Sequence, residues 1–280
     1  MLAIIGGTGF YSLDNVEREQ EVDTPFGKPS APLVFARIEG SEVVFLPRHG
    51  PGHRLLPHEI NYCANIYALK QAGARQLVAV SACGSLREEL AMGHFVIPDQ
   101  YFDHTRGRRR LSFFADGIAA HISTAEVADP ALTAGLGKAA QAAGATVHER
   151  ATFACVEGPR LGSRAESLFL RDAVRADIVG MTCVPEAFLA REAQLCYATL
   201  AIVTDYDCWH NDPNRHVSVS QVFATYGESL ATARRIVSAL IADGLPEIDP
   251  KKRCALTDAV ITRPEQLNPS QAKIMEVLQA

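Results

Sequence analysis

Two carboxylates stand two residues apart at the end of a strongly apolar run. Asp205 and Asp207 follow the segment Tyr197–Val203, where a charge is costly unless a function or a partner compensates for it. Neighbouring like charges tend to raise the pKa of one member of the pair, which suits a proton donor. The same residues also fit an Asp-rich turn. A metal loop completed by His210 and Asp212 ranks last, because the segment lacks the EF-hand pattern.

Three further segments follow apolar runs or resemble anion-binding turns. Gly6-Gly7-Thr8-Gly9 lets backbone N–H groups and a hydroxyl approach a phosphate closely, although a simple tight turn would look the same. Arg48 offers a planar fork and His49 a second donor, with a surface salt bridge as the competing interpretation. Ser81-Ala82-Cys83-Gly84-Ser85 could form another backbone nest, in which we interpret Cys83 as a packing residue, since no neighbour activates it.

These segments give little support for a metal or a nucleotide cofactor. His49 and His53 have the spacing of helical metal ligands, but the Gly-Pro-Gly insert between them opposes a helix. The glycine turn is neither the dinucleotide fingerprint nor a Walker loop. Ser163 and Glu166 predict a capping box, which leaves the loop before them free to shape a pocket. Together the segments favour phosphate and a neutral organic substrate.

The elements that position these residues alternate between short apolar runs and helical patterns. Candidate strands are Leu2–Ile5, Leu33–Ile38, Val43–Leu46, Leu77–Val80, Phe95–Ile97, Thr152–Val156, Ile178–Met181 and Tyr197–Thr204. Candidate helices are Ile60–Ala72, Pro130–Ala143, Arg164–Arg175, Pro185–Ala193 and Val219–Ala242. The alternation predicts an α/β fold: a single domain with a central mixed β-sheet flanked by helices. In such sheets ligands bind beyond the carboxyl ends of the strands.

Composition narrows the possible partners. The formal net charge of -5 gives no case for nucleic acid, and we interpret the basic residues Arg106 and Arg108-Arg109-Arg110 as a solvated loop. No apolar run approaches the roughly 20 residues that span a bilayer, and the N-terminus is expected to be a strand and not a signal peptide. Seven cysteines without a Cys-x-x-Cys pair argue against a disulfide framework or a structural zinc site. We therefore expect a cytoplasmic protein without a membrane partner.

The motifs, taken together, resemble a known family. They are Ile4-Ile5-Gly6-Gly7-Thr8-Gly9, Asp23-Thr24-Pro25-Phe26-Gly27-Lys28-Pro29-Ser30, Ala82-Cys83-Gly84-Ser85-Leu86-Arg87-Glu88-Glu89, Glu157-Gly158-Pro159-Arg160, Met181-Thr182 with Val184-Pro185-Glu186, and Thr204-Asp205-Tyr206-Asp207-Cys208-Trp209. This set is similar to the S-methyl-5′-thioadenosine phosphorylases, a branch of the trimeric purine nucleoside phosphorylase family. The similarity runs from Leu2 to about Pro246.

The resemblance implies a role for each matching position. The phosphate ligands would be Thr8, Arg48, His49, Ser81, Ala82 and Thr182. Asp205 and Asp207 would read the 6-amino group of the purine and support protonation at N7. Residues along the rest of the nucleoside would be Met181, Leu161, Gly162, Val219, Val222 and Phe223, with His121 reaching in from a neighbouring subunit. The resemblance also implies a homotrimer with sites at subunit interfaces, and no cofactor beside phosphate as co-substrate.

The expected reaction is phosphorolysis of S-methyl-5′-thioadenosine to adenine and 5-methylthioribose 1-phosphate. Carboxylates accept hydrogen bonds from an amino group, which favours adenine over a 6-oxopurine. An apolar Val219 favours a methylthio group over a 5′-hydroxyl. Ser81, Leu161 and Gly162 depart from the pattern of close relatives, and the last two would leave a roomier base or ribose pocket.

Other functions stay open. They are a purine nucleoside or methylthioinosine phosphorylase, a non-catalytic nucleoside-binding protein, and an NAD-dependent enzyme, the last disfavoured by the missing fingerprint.

The C-terminal part lies outside the resemblance. Prolines at positions 246, 250, 264 and 269 interrupt regular structure there. We expect residues 1–246 to form the nucleoside phosphorylase catalytic domain. Residues 247–280 would form an extension packed on or near the same domain, ending in a short helix over Pro269–Ala280.

Overall fold

Nine strands form one sheet in the computed structural model, which describes residues 1–7, 15–212 and 215–280. In chain order they are β1 (Leu2–Gly6), β2 (Val16–Gln20), β3 (Leu33–Ile38), β4 (Ser41–Pro47), β5 (Gln76–Ser85), β6 (Phe95–His104), β7 (Val147–Val156), β8 (Ile178–Gly180) and β9 (Cys196–Asp205). The spatial order is β2-β3-β4-β1-β5-β8-β7-β6-β9. Parallel and antiparallel neighbours both occur, so the sheet is mixed.

The sheet closes on itself at one end. β9 is antiparallel to β6, with Phe95 opposite Ile202, and it is also parallel to β5, with Gln76 opposite Cys196. β5, β8, β7, β6 and β9 therefore form a five-stranded barrel, from which β1 to β4 extend as an open sheet. The carboxyl ends of β5 and β9 lie side by side, because Gly84 is paired with Asp205.

Helices pack on both faces of the sheet. They are α1 (Tyr62–Gln71), α2 (Pro130–Ala142), α3 (Arg164–Leu168), α4 (Cys183–Glu192), α5 (Val219–Ala242) and α6 (Pro269–Gln279). Ala3 and Ile5 of β1 pack in one apolar cluster with α1, α4 and α6, whereas Leu2 and Ile4 pack in another with α2 and α5. This alternation is what a strand buried on both faces requires. The predicted mixed sheet with flanking helices is confirmed.

α5 begins and ends where its sequence pattern predicts. The Ser218 hydroxyl accepts a hydrogen bond from the backbone N–H of Gln221 at 3.3 Å, and Tyr226, Ala233 and Val237 lie on the buried side. A polar cap followed by one apolar stripe is sufficient to fix a helix of this length. No helix in the described part of the chain combines the length and apolar character needed to cross a membrane.

Some elements differ from the sequence prediction. β2 is missed because its residues Val16–Gln20 are exposed and polar, so they carry no apolar signal. The predicted helix Arg164–Arg175 is α3 followed by a π-helical turn over Phe169–Ala173. β5, β6 and β7 are each ten residues long, well beyond the apolar runs that predicted them.

The last segment of the chain packs on α1 and α4. Leu278 and Met275 of α6 are buried in the cluster that contains α1. The Gln194 side chain, just after α4, donates to the Leu278 carbonyl at 3.3 Å and accepts from the Leu256 N–H at 3.3 Å.

Candidate functional site

A cavity of about 530 Å³ opens at the carboxyl ends of the strands. Its wall is built from the ends of β1, β4, β5, β7, β8 and β9, together with the first turns of α5. The predicted site residues that line it are Arg48, His49, Ser81, Ala82, Leu161, Gly162, Met181, Thr182, Asp205, Asp207, Val222 and Phe223. Thr8 lies outside the described residues. The fold thus brings together segments that are more than 150 residues apart in the sequence.

The two carboxylates lie buried at the end of β9. Asp205 is 4% exposed, and its carboxylate accepts hydrogen bonds from the Thr204 hydroxyl and the Asp207 N–H, both at 2.7 Å. Burial raises the pKa of Asp205 to about 6, with the charge of Asp207 a smaller contribution, and burial also raises the pKa of Asp207. Like-charge repulsion, the cause expected from the sequence, contributes less to these shifts than desolvation does.

Gly84 makes room for Asp205. A Cβ atom at this position would lie 2.8 Å from Asp205 Oδ1 and 3.3 Å from Asp207 Cβ. The glycine in the Ala-Cys-Gly-Ser segment is therefore required by the close approach of β9 to the end of β5. Cys83 packs beneath the site with its thiol 3.4 Å from the Ile202 carbonyl, and burial raises its pKa.

Arg48 forms a fully buried ion pair with Glu186. Nε donates to one carboxylate oxygen at 2.6 Å and Nη2 to the other at 2.8 Å, while Nη1 donates to the Val80 carbonyl at 3.1 Å. Burial by itself lowers the pKa of Arg48, but the ion pair outweighs it and raises the pKa above its ordinary value. The alternative of a surface salt bridge is wrong, because both side chains are at most 2% exposed.

Glu186 anchors this pair to the barrel. Its carboxylate accepts a hydrogen bond from Tyr197 at 3.1 Å, and the Thr199 hydroxyl links Tyr197 to Tyr101. This role of Glu186 is not predictable from the sequence, since a glutamate within a helical segment carries no signal of burial. The guanidinium of Arg48 keeps two N–H groups beyond those three bonds, and Arg48 borders the cavity.

His49 is held as a neutral ring. Nδ1 donates to the Leu55 carbonyl at 2.9 Å, because a carbonyl oxygen can only accept. Burial, and secondarily the charge of Arg48, lowers the pKa of His49 to about 4. The ring stacks on His53 with centroids 4.1 Å apart. At neutral pH Nε2 is therefore an acceptor, which corrects the expectation that His49 adds a donor.

Two hydroxyls lie between the carboxylates and the ion pair. Ser81 and Thr182 are both 6% exposed, and their side-chain oxygens are 3.2 Å apart. The antiparallel pairing of β5 with β8, and the position of Thr182 between β8 and α4, bring them together. Both hydroxyls line the cavity next to Ala82.

Two predicted nucleoside contacts do not line this cavity. Val219 is 59% exposed at the first position of α5, and the cavity wall includes Val222 and Phe223 but not Val219. His121 is exposed and its N–H is bonded to the Ala259 carbonyl at 2.9 Å, outside the cavity. The position of Val219 at the start of α5 explains why it does not line the cavity. Val222 lies on the same face of the helix one turn further in, where it borders the cavity.

The basic segment is only partly a solvated loop. Arg106, Arg108 and Arg110 are exposed, but the Arg109 side chain is fully buried beside Glu157. Glu157 accepts from Arg109 Nε at 3.0 Å and from the Arg106 N–H at 2.6 Å. The interpretation of Arg109 as solvated is wrong. Adjacent arginines look alike in the sequence, so no local signal separates the buried one.

No group of three metal-ligating side chains occurs within the ranges that the structure describes. The stacked His49 and His53 therefore have no third ligand there. The cavity instead offers a fixed arginine, two hydroxyls and a pair of carboxylates with raised pKa values.

Comparison with known proteins gives a consistent result. Residues 1–242 match the model of the phosphorylase superfamily. The chain is 45% identical over 268 residues to S-methyl-5′-thioadenosine phosphorylase of Geobacter sulfurreducens, covering 94% of this chain and 92% of the relative. It is 46% identical over 264 residues to the protein of the same name from Hyperthermus butylicus, covering 93% and 94%.

Solved structures resemble the whole fold. A crystal structure of methylthioadenosine phosphorylase from an antarctic soil metagenomic library superposes with a TM-score of 0.91 at 41% identity, covering 99% of this chain and 98% of that one. Methylthioadenosine phosphorylase from Schistosoma mansoni in complex with adenine superposes with a TM-score of 0.86 at 35% identity, covering 93% and 98%.

Proposed function

The chain belongs to the phosphorylase superfamily, in the branch of the S-methyl-5′-thioadenosine phosphorylases, and from this premise we propose that it cleaves S-methyl-5′-thioadenosine with inorganic phosphate. The products are adenine and 5-methylthioribose 1-phosphate. One observation carries the proposal: a single cavity contains buried carboxylates with raised pKa values and, across it, a fixed arginine beside two hydroxyls. The first set suits a purine leaving group and the second suits an oxyanion nucleophile.

The phosphate end binds and orients the nucleophile. Arg48 directs its two remaining N–H groups to phosphate oxygens, held in place by Glu186. Ser81 and Thr182 donate hydroxyl hydrogen bonds, and Ala82 lies beside Ser81. Thr8, outside the described residues, is carried over from the family resemblance as a further ligand. His49 Nε2 accepts the O–H of hydrogen phosphate. Because Arg48 and His49 are held by protein partners before phosphate binds, little reorganisation is needed during the reaction.

The purine end receives the negative charge of the leaving group. The C1′–N9 bond breaks as the bond from C1′ to a phosphate oxygen forms, and the electron pair of the broken bond goes to the purine. Protonated Asp205 donates to N7, and Asp207 accepts from the 6-amino group. A pKa of about 6 leaves Asp205 partly protonated near neutral pH, which suits this transfer. The bound phosphate dianion stabilises the positive charge that develops at C1′.

The rest of the nucleoside lies between these ends. Met181 borders the ribose, and Leu161 and Gly162 border the base. A Cβ atom at Gly162 would lie 3.7 Å from the Asp207 carboxylate, an ordinary contact, so glycine here widens the base pocket only slightly. Val222 and Phe223 face the methylthio group, and Val219 extends that surface at the rim.

We further propose a homotrimer in which His121 reaches the 5′ side of a neighbouring site. His121 is exposed on its own chain. Light scattering coupled to gel filtration would give three times the chain mass of 30.3 kDa. A cytoplasmic location is proposed as well, since all seven thiols are free, as in reducing compartments.

The test of the function compares four nucleosides. We expect kcat/KM for phosphate-dependent base release to be highest for methylthioadenosine, followed by adenosine, methylthioinosine and inosine. Asp205→Asn should lower turnover of methylthioadenosine by about 10²- to 10⁴-fold while phosphate binding is kept. Asp243→Asn, an exposed carboxylate after α5, is the matched control. A preference for the 6-oxo nucleosides would reject the role of the carboxylates, and no turnover of any nucleoside would favour a binding protein.

A further inference from the structure

Every N–H group of the Arg109 guanidinium donates a hydrogen bond to another residue of the protein. Its guanidinium has five N–H groups. Nε donates to the Glu157 carboxylate at 3.0 Å, Nη1 to the Met181 and Val184 carbonyls at 2.8 and 2.5 Å, and Nη2 to the Glu157 and Val156 carbonyls at 2.8 and 3.4 Å. No N–H group is left for a ligand. Arg48 differs, because it keeps two.

The backbone carbonyls that accept these bonds come from two separate segments that both line the cavity. Val156 and Glu157 end β7 and lead into the loop that carries Leu161 and Gly162. Met181 lies between β8 and α4, directly before Thr182. The first segment borders the purine and the second borders the ribose and the phosphate. Arg109 therefore connects the surfaces that position three parts of the reacting system.

The two segments touch each other at the point where Arg109 holds them. Gly158 has a φ of +69°, and a Cβ atom there would lie 2.6 Å from Met181 Sδ. Only a residue without a Cβ atom leaves room for the Met181 side chain here, so the distance between the base and ribose walls is short at this point. A planar guanidinium that donates to both backbones at once fixes that distance.

From this geometry we infer that Arg109 is a positioning residue for the reaction, setting the ribose wall at Met181 against the purine wall that follows Glu157. The inference rests on the proposed function and extends it to a residue that does not touch the substrate. Its position in the fold supports this role, because the Arg109 side chain is fully buried while its neighbours on the loop are exposed.

Among the phosphate ligands, Thr182 lies in the segment that Arg109 holds, between Met181 and Val184, whereas Arg48 and His49 are held independently of Arg109. Arg48 is fixed by Glu186 and Val80, and His49 by Leu55. Loss of the Arg109 bonds should therefore weaken nucleoside binding more than phosphate binding, since phosphate keeps its contacts with Arg48 and His49. A purely structural arginine would instead lower stability and leave the kinetics of the folded molecules unchanged.

The experiment compares Arg109→Lys and Arg109→Met with Arg110→Met. Lysine keeps the charge beside Glu157, but its three N–H donors share one nitrogen and cannot replace the five that the planar guanidinium spreads over both backbones. Arg110 is the adjacent exposed arginine, bonded to Ser112 and Asp116. Each variant is assayed for kcat and KM per folded molecule, for the Kd of inorganic phosphate and of adenine by calorimetry, and for Tm.

We expect both Arg109 variants to lose about 100-fold in kcat/KM for methylthioadenosine, since misplacement by about 1 Å can cost that much. Adenine should bind at least tenfold more weakly, phosphate affinity should change less than threefold, and Arg110→Met should match the wild type. If Arg109→Met does not fold, Arg109→Lys carries the test.

Unchanged kinetics and adenine affinity with a lowered Tm would overturn the inference, and so would an equal loss of phosphate and adenine binding. A wild-type chain that binds adenine without turnover rejects the proposed function, and the adenine arm still decides the role of Arg109. A wild-type chain that neither binds adenine nor turns over methylthioadenosine would overturn both the proposed function and the inference about Arg109.

Discussion

At the scale of single residues, burial sets the protonation of the site. Asp205 and His49 are both more than 90% buried, and desolvation moves the pKa of the acid up to about 6 and that of the base down to about 4. Both shifts favour the neutral form, as expected when a charged group leaves water. The cavity therefore presents one group that can donate a proton near pH 6 and one that accepts a hydrogen bond.

The stability of the protein should depend on pH through Asp205. Its pKa is raised from 3.8 to about 6 on folding. The folded state then holds the proton more tightly, so the stabilising contribution is complete below pH 3.8 and is lost as the pH rises through 6. Asp205→Asn removes this dependence. We expect the free energy of unfolding of the wild type, relative to the variant, to fall by about 2 kcal/mol from pH 4 to 7.

Urea titrations at intervals between those pH values measure this difference, with Asp243→Asn as the control whose curve stays parallel to the wild type. A wild-type curve parallel to that of Asp205→Asn would mean that Asp205 titrates at its ordinary pKa.

The methylthio subsite gives a second prediction for single residues. Val222 lines the cavity, whereas Val219 is 59% exposed at its rim. Val222→Thr keeps the shape and adds a hydroxyl, so it should lower the ratio of kcat/KM for methylthioadenosine over adenosine by about tenfold. Val219→Thr is the matched change and should alter the ratio by less than about twofold. An equal effect of both would place Val219 in the subsite as well.

At the scale of elements, the N-terminal end of α5 carries both the helix cap and the residues that are proposed to face the methylthio group. Ser218 caps the helix, and Val222 and Phe223 follow within two turns. Helix ends fray unless their N–H groups are satisfied. The wall of the methylthio subsite is therefore only as well ordered as this cap.

Removing the cap should loosen the wall. Ser218→Ala should destabilise the first turn by about 1 kcal/mol and speed hydrogen exchange there about fivefold, with a higher KM for methylthioadenosine. Asn268→Ala removes the cap of α6, which accepts from the Gln271 N–H at 3.0 Å away from the cavity. It should leave KM unchanged. If Ser218→Ala and Asn268→Ala have a similar KM, the cap of α5 does not contribute to substrate binding.

At the scale of the whole molecule, the C-terminal segment completes one of the two cores. Leu278 is fully buried against the cluster that contains α1 and α4, and Met275 and Leu256 lie in the same cluster. We therefore propose that residues 247–280 unfold together with residues 1–246 and not as a separate unit. The family model ends at residue 242, so this segment lies beyond the matched region.

A single buried leucine tests that proposal. Leu278→Ala should lower the global free energy of unfolding by about 2–5 kcal/mol, because it leaves a cavity in the shared core. Ile261→Ala, at a position that is 64% exposed, should change it by less than about 0.5 kcal/mol. Urea unfolding followed by both fluorescence and circular dichroism should show one transition. Two transitions, or a change confined to α6, would mean that the segment folds separately.

The sequence by itself determined the local features of this protein. Apolar runs located part of each of eight strands, and the helical pattern of α5 predicted its ends at Val219 and Ala242. The motifs placed Arg48, Ser81, Thr182 and Asp205 at element ends, where the cavity lies. These features are readable because periodicity and turn chemistry act over a few neighbouring residues.

Only the tertiary structure decided which distant segments meet. The closure of β9 onto β5 places Asp205 against Gly84, and Arg48 pairs with Glu186, 138 residues away. The same packing buries Arg109 but leaves Arg110 exposed, and lines the cavity with Val222 but not Val219. The burial of a polar side chain depends on the partners that other elements bring to it, and residue type and spacing do not encode those partners.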